Sequence, residues 1–426
     1  MTGIARPHGR PAALGFIFVA TALNAVSYGL MIPVLPNLIR SFFGATSAAS
    51  TASAADWQFV FGVTWGAMQF LAGPLQGMMS DRWGRRPVML ISIFGLSVDF
   101  LVMAFAPGVV WLLIGRVFNG LTAASFSTAS AYVADVSVPE TRARNFGWMS
   151  AASSGGFLLG PPIGAMLATI PVHIGAVVLD PLRTPFLAAA CVCAANWLYG
   201  LLLLPESLPP ERRAAAFAWR AANPLGSLTL LRAHADLLPL ASINFLGQLA
   251  SQSFNTVFVL YTALRYHWDL RIVAFALFLT GAVDIPVALW GVGPAVKWLG
   301  ERGAIIAGAA SWVIGFVIFA VAAPSDTYFL LIPVFAIGGL IPPALQALMT
   351  EHVSGSEQGR LQGANTSITG IASIVGPAIF PLSYAFALRT LPDLPGLPML
   401  IAAGFMALAL VLAVRFARRE PSPPSP

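Results

Sequence analysis

The sequence predicts an all-α integral membrane protein, with twelve transmembrane helices in two six-helix repeats. Three observations predict it. Of 426 residues, 57% are hydrophobic and only 9% charged, at a mean hydropathy of +0.79, more apolar surface than a soluble core has room for. Apolar stretches of membrane-crossing length recur along the whole chain, and the second half repeats landmarks of the first at a fixed spacing.

A helix needs roughly 20 mostly apolar residues to cross a bilayer. That ruler places spans at 13–39, 57–79, 87–106, 109–134, 145–169, 183–204, 238–263, 272–296, 303–323, 328–349, 361–388 and 396–416. The first is too long for a signal peptide and lacks its small-residue cleavage site, so it is expected to be retained. SAASTASAAD, residues 47–56, reads as a low-complexity loop. The longest polar interruption, 205–237, is expected to be a cytoplasmic linker between an N-terminal bundle, 1–204, and a C-terminal bundle, 238–416. Residues 417–426 are a Pro- and Ser-rich tail expected to be disordered.

Arg and Lys set the orientation. An even number of spans puts both ends on one side, and that side holds 17 of the 23 basic residues, against Arg40, Arg183, Arg265, Arg271 and Arg389 opposite. The positive-inside bias places both termini in the cytoplasm. The net charge of +6 is thus topology and not a nucleic-acid footprint. Cys191 and Cys193 share a span and suit packing better than a disulfide or a zinc site. All five histidines fall in loops or at helix ends, so no metal site is expected. No nucleophile triad, phosphate loop or dinucleotide fingerprint is present, so neither an enzyme nor a cofactor is expected.

At an offset of 216 residues, Gly77 falls on Gly293, Gly84 on Gly300, Arg86 on Arg302, Asp135 on Glu351, Arg144 on Arg360, Gly160 on Gly376 and Pro161 on Pro377. Parallel repeats of this kind imply a small-molecule path near the midplane, with the halves rocking about it. A transporter in the lipid bilayer, working as a monomer, is the expectation.

The loop GMMSDRWGRRPV, residues 77–88, carries Gly77 and Gly84 for close packing and a tight turn, the acceptor Asp81, and two fixed cations, Arg85 and Arg86. Its G-x3-D-x2-G-R-R spacing resembles the signature loop of the major facilitator superfamily, whose fold the twelve spans also match. The resemblance implies a conformational latch. Asp81 would face the N-terminal end of the eleventh helix, whose dipole favours an anion, and Arg85 would pair with Asp135. The second copy, GPAVKWLGER, has Lys297 at the Asp position and is degenerate.

On the fifth span, Gly147, Gly156, Gly160, Pro161 and Gly164 form G-x8-G-x3-G-P-x2-G, small residues that let a neighbouring backbone approach and a Pro that bends the helix. The pattern is similar to the antiporter signature of the drug-efflux branch. AVSYGLMIPVLPNL, MQFLAGPLQGMMSDRWGRRPVML, RARNFGWMSA, LLPES, YHWD and EQGRLQG resemble the tetracycline-efflux proteins across nearly the whole chain. That resemblance implies a proton-for-drug antiporter of the bacterial inner membrane; a proton symporter or an uncoupled facilitator for a small metabolite is the alternative.

An ionised Asp at a helix centre costs roughly 2.5–3.5 kcal/mol on insertion scales and is ordinarily functional. Asp99 lies so in the third span, and Asp284 in the eighth, just before Pro286. One or both are expected to carry the coupled proton, in competition with the substrate. Arg116, in LLIGRVFNG, is the basic residue deepest in a span, and it resembles the family's fourth-helix Arg, which tunes a nearby acid. Asn24, Gln69, Asn119, Gln248, Gln252, Asn255 and Gln346, with Trp312 for stacking, are expected to line the substrate cavity. The family has an acid where Asn24 stands, a His at Asp284 and an acid close to Trp312. Those positions handle a metal-chelated drug in the family, so coupling here requires Asp284 to take over that role.

Overall fold

The computed structural model describes residues 10–418 apart from 123–124, 176, 215–216, 218–225, 235, 323 and 355–356. The expected tail falls mainly on 419–426, outside the described residues. The helices are α1 (Arg10–Ser41), α2 (Ala48–Trp83), α3 (Arg85–Phe105), α4 (described as Val109–Thr122 and Ser125–Val136), α5 (Pro139–Leu167), α6 (Thr184–Leu203) and α7 (Leu237–Arg265). Then follow α8 (Leu270–Pro286), a π-helical turn Val287–Gly291, α9 (Val292–Val321), α10 (Thr327–Ile337, continued through a 3-10 turn into Ile341–Glu351), α11 (Gln358–Thr390) and α12 (Leu397–Ala417). A short hairpin, Val172–Ile174 with Val177–Leu179, joins α5 to α6.

Among the described residues, eight helical stretches are long and apolar enough to cross a membrane; one of them, Leu270–Val321, has 52 residues, enough for two crossings. Helices α2, α5 and α7 complete the set at 36, 29 and 29 residues, diluted in apolar character by Gly, Ala, Ser and amide side chains. The break inside Leu270–Val321 is Gly300, with φ 68° and ψ 168°. Its repeat partner Gly84, with φ 108° and ψ 161°, breaks α2 from α3 in the same way. That backbone region is essentially reserved for glycine, so the repeat is written in dihedral angles as well as in sequence.

The loop expected over residues 47–56 is instead the first turns of α2. Ser47 and Ser50 cap each other, each backbone N–H donating to the other's Oγ at 3.1 Å. Alanine, the best helix former, does the rest: Ala52, Ala54 and Ala55 are buried. Low complexity here is a small-residue packing face.

The chain divides into two compact units, one made of the first 38 residues with Ala67–Asn223, the other of Ile39–Gly66 with Pro224–Pro426. The end of α1 and the first half of α2 therefore belong with the second unit and not with the expected 1–204 bundle. The reason is close packing on α11: a Cβ on Gly62 would lie 2.3 Å from the Pro377 side chain, and one on Gly66 would lie 2.6 Å from the Ser373 carbonyl. Arg389 also forms an ion pair with Asp56.

The first unit's core joins Phe16, Ile17 and Ala20 of α1 to Met89 and Ile93 of α3, Tyr132 and Val133 of α4 and Met149 of α5. The second unit holds an aromatic cluster around Phe254, Phe258, Phe319, Tyr328 and Phe335, whose rings meet at 4.9–6.5 Å.

Candidate functional site

Asp99 sits on the stripe Ser92, Leu96, Asp99 and Met103, which buries one face of α3. Helix α4 answers with Leu112, Gly115, Arg116 and Asn119, again at helical spacing. Gly115 makes the approach possible, because a Cβ there would lie 2.6 Å from Asp99 Oδ1. Arg116 Nη2 lies 3.0 Å from Asp99 Oδ2, with both side chains almost fully buried at 5% and 0% exposure. Within the low-dielectric interior each charge is tolerable only because of the other.

The pair is a charge contact without full hydrogen bonding. Both Asp99 oxygens lack a well-aligned donor, and Arg116 Nε lacks an acceptor. Arg116 Nη2 instead points at the sulfurs of Met31, at 2.8 Å, and Met103, at 3.3 Å. Sulfur is a weak acceptor, so the guanidinium is held by packing as much as by polarity.

Helix α1 closes the compartment. Asn24, Tyr28 and Met31 share one face of it, and Tyr28 OH donates to Asn119 Oδ1 at 3.4 Å. Asn196 Nδ2 of α6 donates to Asn24 Oδ1 at 3.5 Å. The α5 glycines position α1. A Cβ on Gly156 would lie 2.6 Å from the Ala22 carbonyl, one on Gly160 would lie 2.4 Å from Gly29 Cα, and one on Gly164 would lie 2.4 Å from the Leu30 carbonyl. Pro161 sits beside this contact, 3.3 Å from where a Cβ on Gly29 would be, while Gly147 has open space in place of a partner. The motif is thus a backbone-on-backbone seam between α5 and α1.

At one end of the first unit, Arg85 bonds through Nε to Asp135 at 3.0 Å and through Nη1 to Asp81 and to Ser80. Arg86 donates to the Leu201 carbonyl at 2.7 Å. Gly77 has nothing within 4 Å of a Cβ. Glu206, which sequence reasoning missed, caps α3: its carboxylate accepts from the backbone N–H of Arg85 at 2.8 Å and of Arg86 at 3.2 Å. A Cβ on Gly84 would meet that carboxylate at 2.2 Å. The signal was present in LLPES, an acid just past the sixth span on the side to which the 77–88 loop also belongs.

The remaining expected residues lie elsewhere. Gln69 is half-buried on α2. Asp284 is exposed on α8, with no ion-pair partner among the described residues, and the Val287 N–H reaches back to its carbonyl at the π turn. Gln248 is half-buried. Gln252 donates to Ser373 at 3.4 Å and accepts from Asn255 at 3.5 Å. Gln346 accepts from Asn365 at 3.0 Å, and Asn365 accepts from Asn244 at 3.2 Å, tying α10, α11 and α7 together. Trp312 spends its indole N–H on the Phe335 carbonyl at 2.8 Å, where α10 loosens toward its 3-10 turn. Asp99, Arg116, Asn119 and Asn24 are therefore gathered in the first unit, and the amides of α7, α10 and α11 in the second. Among the described residues no group of three or more His, Cys, Asp or Glu is placed to hold a metal.

Residues 17–377 and, in a second match, 240–426 fit the family description Major Facilitator Superfamily. The chain belongs to the Major Facilitator Superfamily. Among curated members it is similar to the class C tetracycline resistance protein of Escherichia coli, 37% identical over 89% of this chain and 91% of that one. The class G tetracycline resistance protein of Vibrio anguillarum is 34% identical over 85% and 88% of the respective chains. In fold it is similar to a bacterial homologue of the human lysosomal transporter Spinster, with a TM-score of 0.78, 16% identity and coverage of 97% and 98%. The human organic anion transporter MFSD10 superposes with a TM-score of 0.67 at 22% identity, over 96% of this chain and 100% of that one.

Proposed function

We propose that this facilitator-superfamily chain is a proton-coupled antiporter that exports drug-like amphipathic small molecules by alternating access. Supporting it are its kinship with tetracycline resistance proteins and, above all, the Asp99–Arg116 pair, buried and incompletely hydrogen-bonded. A proton taken up by the Asp99 carboxylate cancels its charge and removes what holds Arg116 in place. Loss of that proton to the other side restores the pair. The bound molecule favours one of the two states, so each leg of the cycle moves one cargo and not the other.

The residues at 24, 284 and 312 depart from the tetracycline-efflux pattern, so the cargo is assigned by class, as a cationic or zwitterionic amphipath. The protein is placed in the bacterial inner membrane with both termini cytoplasmic, as a monomer without a cofactor. Asp284 is a second proton site, and Asp81, Arg85 and Asp135 with the Glu206 cap form the latch.

The test is transport into inverted membrane vesicles under an imposed proton gradient, with tetracycline and tetraphenylphosphonium as cargoes. Antiport predicts uptake that collapses with an uncoupler and in Asp99→Asn. Equilibration that ignores both would make the protein a facilitator.

A further inference from the structure

The first unit contains a cavity of about 330 Å³, the size of small-molecule sites. Its wall is mostly apolar, including Ile93 and Phe157, with Thr21, Asn24, Tyr28 and Ser153 as the polar groups and no charged side chain. Asn24 already accepts from Asn196, which leaves its amide N–H groups as donors to a guest. An ionic head has no counter-charge there. A flat, uncharged ring system with a hydrogen-bonding edge does fit, by apolar burial against Ile93 and Phe157 and by polar contact along α1.

Tyr28 faces two ways. It lines the cavity, and its ring meets Phe100, the neighbour of Asp99, edge-on at 6.2 Å. Its hydroxyl bonds to Asn119, one turn beyond Arg116 on α4. Tyr28 thus links the cavity to the ion-pair compartment. We propose that this cavity takes the ring system of the exported molecule, and that Tyr28 is the positioning residue through which occupancy reaches the Asp99–Arg116 pair. The inference rests on the antiport reading for its second half only.

The experiment uses the full chain in lipid nanodiscs with 1-aminoanthracene, three fused uncharged rings bearing one amine. Binding is read from probe fluorescence and proton release from a pH dye in weak buffer. Ser153→Phe, which fills the cavity, weakens binding by about tenfold or more, equivalent to ~1.4 kcal/mol; Thr21→Val, a near-isosteric change at the polar wall, weakens it less and guards against misfolding. Tyr28→Phe keeps the ring but removes the hydroxyl that bonds to Asn119, so that proton release per bound probe, read at saturating probe, falls by at least about half whatever the change in affinity.

Unchanged binding in Ser153→Phe, or no binding in the native chain, overturns the cavity assignment; retention of a lipid by native mass spectrometry would then name the occupant. Unchanged proton release in Tyr28→Phe overturns its positioning role. A native chain that binds the probe in the cavity but releases no proton sinks the antiport reading and leaves the binding site standing.

Discussion

The two repeats share a backbone and differ in their charges. Gly84 and Gly300 adopt the same glycine-only conformation, with φ 108° and 68° and ψ 161° and 168°. Around Gly84 stand Asp81, Arg85 and Asp135, all joined in ion pairs. At the equivalent places around Gly300 stand Lys297, Glu301 and Glu351. Two acids at the places of Arg85 and Asp135 cannot pair with each other as an ion pair, and among the described residues Lys297 and Glu301 form none. Deeper in the helices the contrast recurs: the first half buries Asp99 against Arg116, whereas Asp284 in the second is exposed just before the π turn and has no ion-pair partner among the described residues. The scaffold is common to the two halves, and the Asp81–Arg85–Asp135 ion pairs and the Asp99–Arg116 pair belong to the first.

The strongest way to break this comparison is at the buried pair. Arg116→Met leaves Asp99 desolvated and alone, and should lower stability by about 3–5 kcal/mol in denaturant unfolding of the detergent-solubilised protein. The double variant Asp99→Leu with Arg116→Met should regain most of that loss. A double variant as unstable as the single one would mean that the pair is not what Arg116 contributes. Truncating the lone Asp284 to Ala should leave the unfolding midpoint nearly unchanged.

The shared glycines sharpen it next. Gly84→Ala and Gly300→Ala should each cost about 1–3 kcal/mol for an unfavourable backbone. Gly84→Ala should in addition slow transport, because its Cβ collides with the Glu206 carboxylate, while Gly300→Ala has open space around it. Equal transport defects in the two would show that the wiring of the first loop does not matter.

A smaller effect is expected at the α3 cap. Glu206→Gln keeps the shape but loses the negative charge at a helix N-terminus, worth about 0.3–1 kcal/mol. Hydrogen exchange at the Arg85 and Arg86 amides should speed up, with no change at Arg302.

The smallest effect belongs to the second half. Glu357 accepts from the Ser354 hydroxyl at 2.9 Å and lies 3.3 Å from His234 Nε2. The Ser354 hydroxyl, followed by His234 and the Ser354 amide, holds its carboxyl below the usual range. A carboxyl lowered on folding contributes above its ordinary value, about 4.3, and loses that contribution as pH falls through the lowered one. The 234–357 contact should therefore persist to mildly acidic pH and open below it, with Glu357→Gln removing the transition in a cross-linking assay.

Much of this was legible in the sequence because membrane helices advertise themselves by length and because repeats keep glycines. The G-x3-G-P spacing announced a close seam on α5, but not that α1 was its partner. Asp99 and Arg116 were each conspicuous as charges in oil, and their distance needed the α3/α4 packing that Gly115 permits. Tyr28 and Glu206 escaped because a tyrosine in an apolar span and an acid in a polar loop are individually unremarkable and matter only through what they face. Trp312, expected to stack on substrate, donates its indole N–H to the Phe335 carbonyl, a backbone need that residue type alone does not reveal. Residues 47–56 misled because composition spoke for a loop, whereas a reciprocal serine cap and alanine packing made a helix.

The central claim is that the first half carries the proton. Its most direct test is the number of protons moved per substrate in proteoliposomes containing the native chain, Asp99→Asn or Asp284→Asn. The account predicts that Asp99→Asn lowers coupled flux by about 100-fold, or ~2.7 kcal/mol, while Asp284→Asn costs less than about tenfold. Coupled flux that survives in Asp99→Asn and vanishes in Asp284→Asn would contradict it and move the switch to the second half.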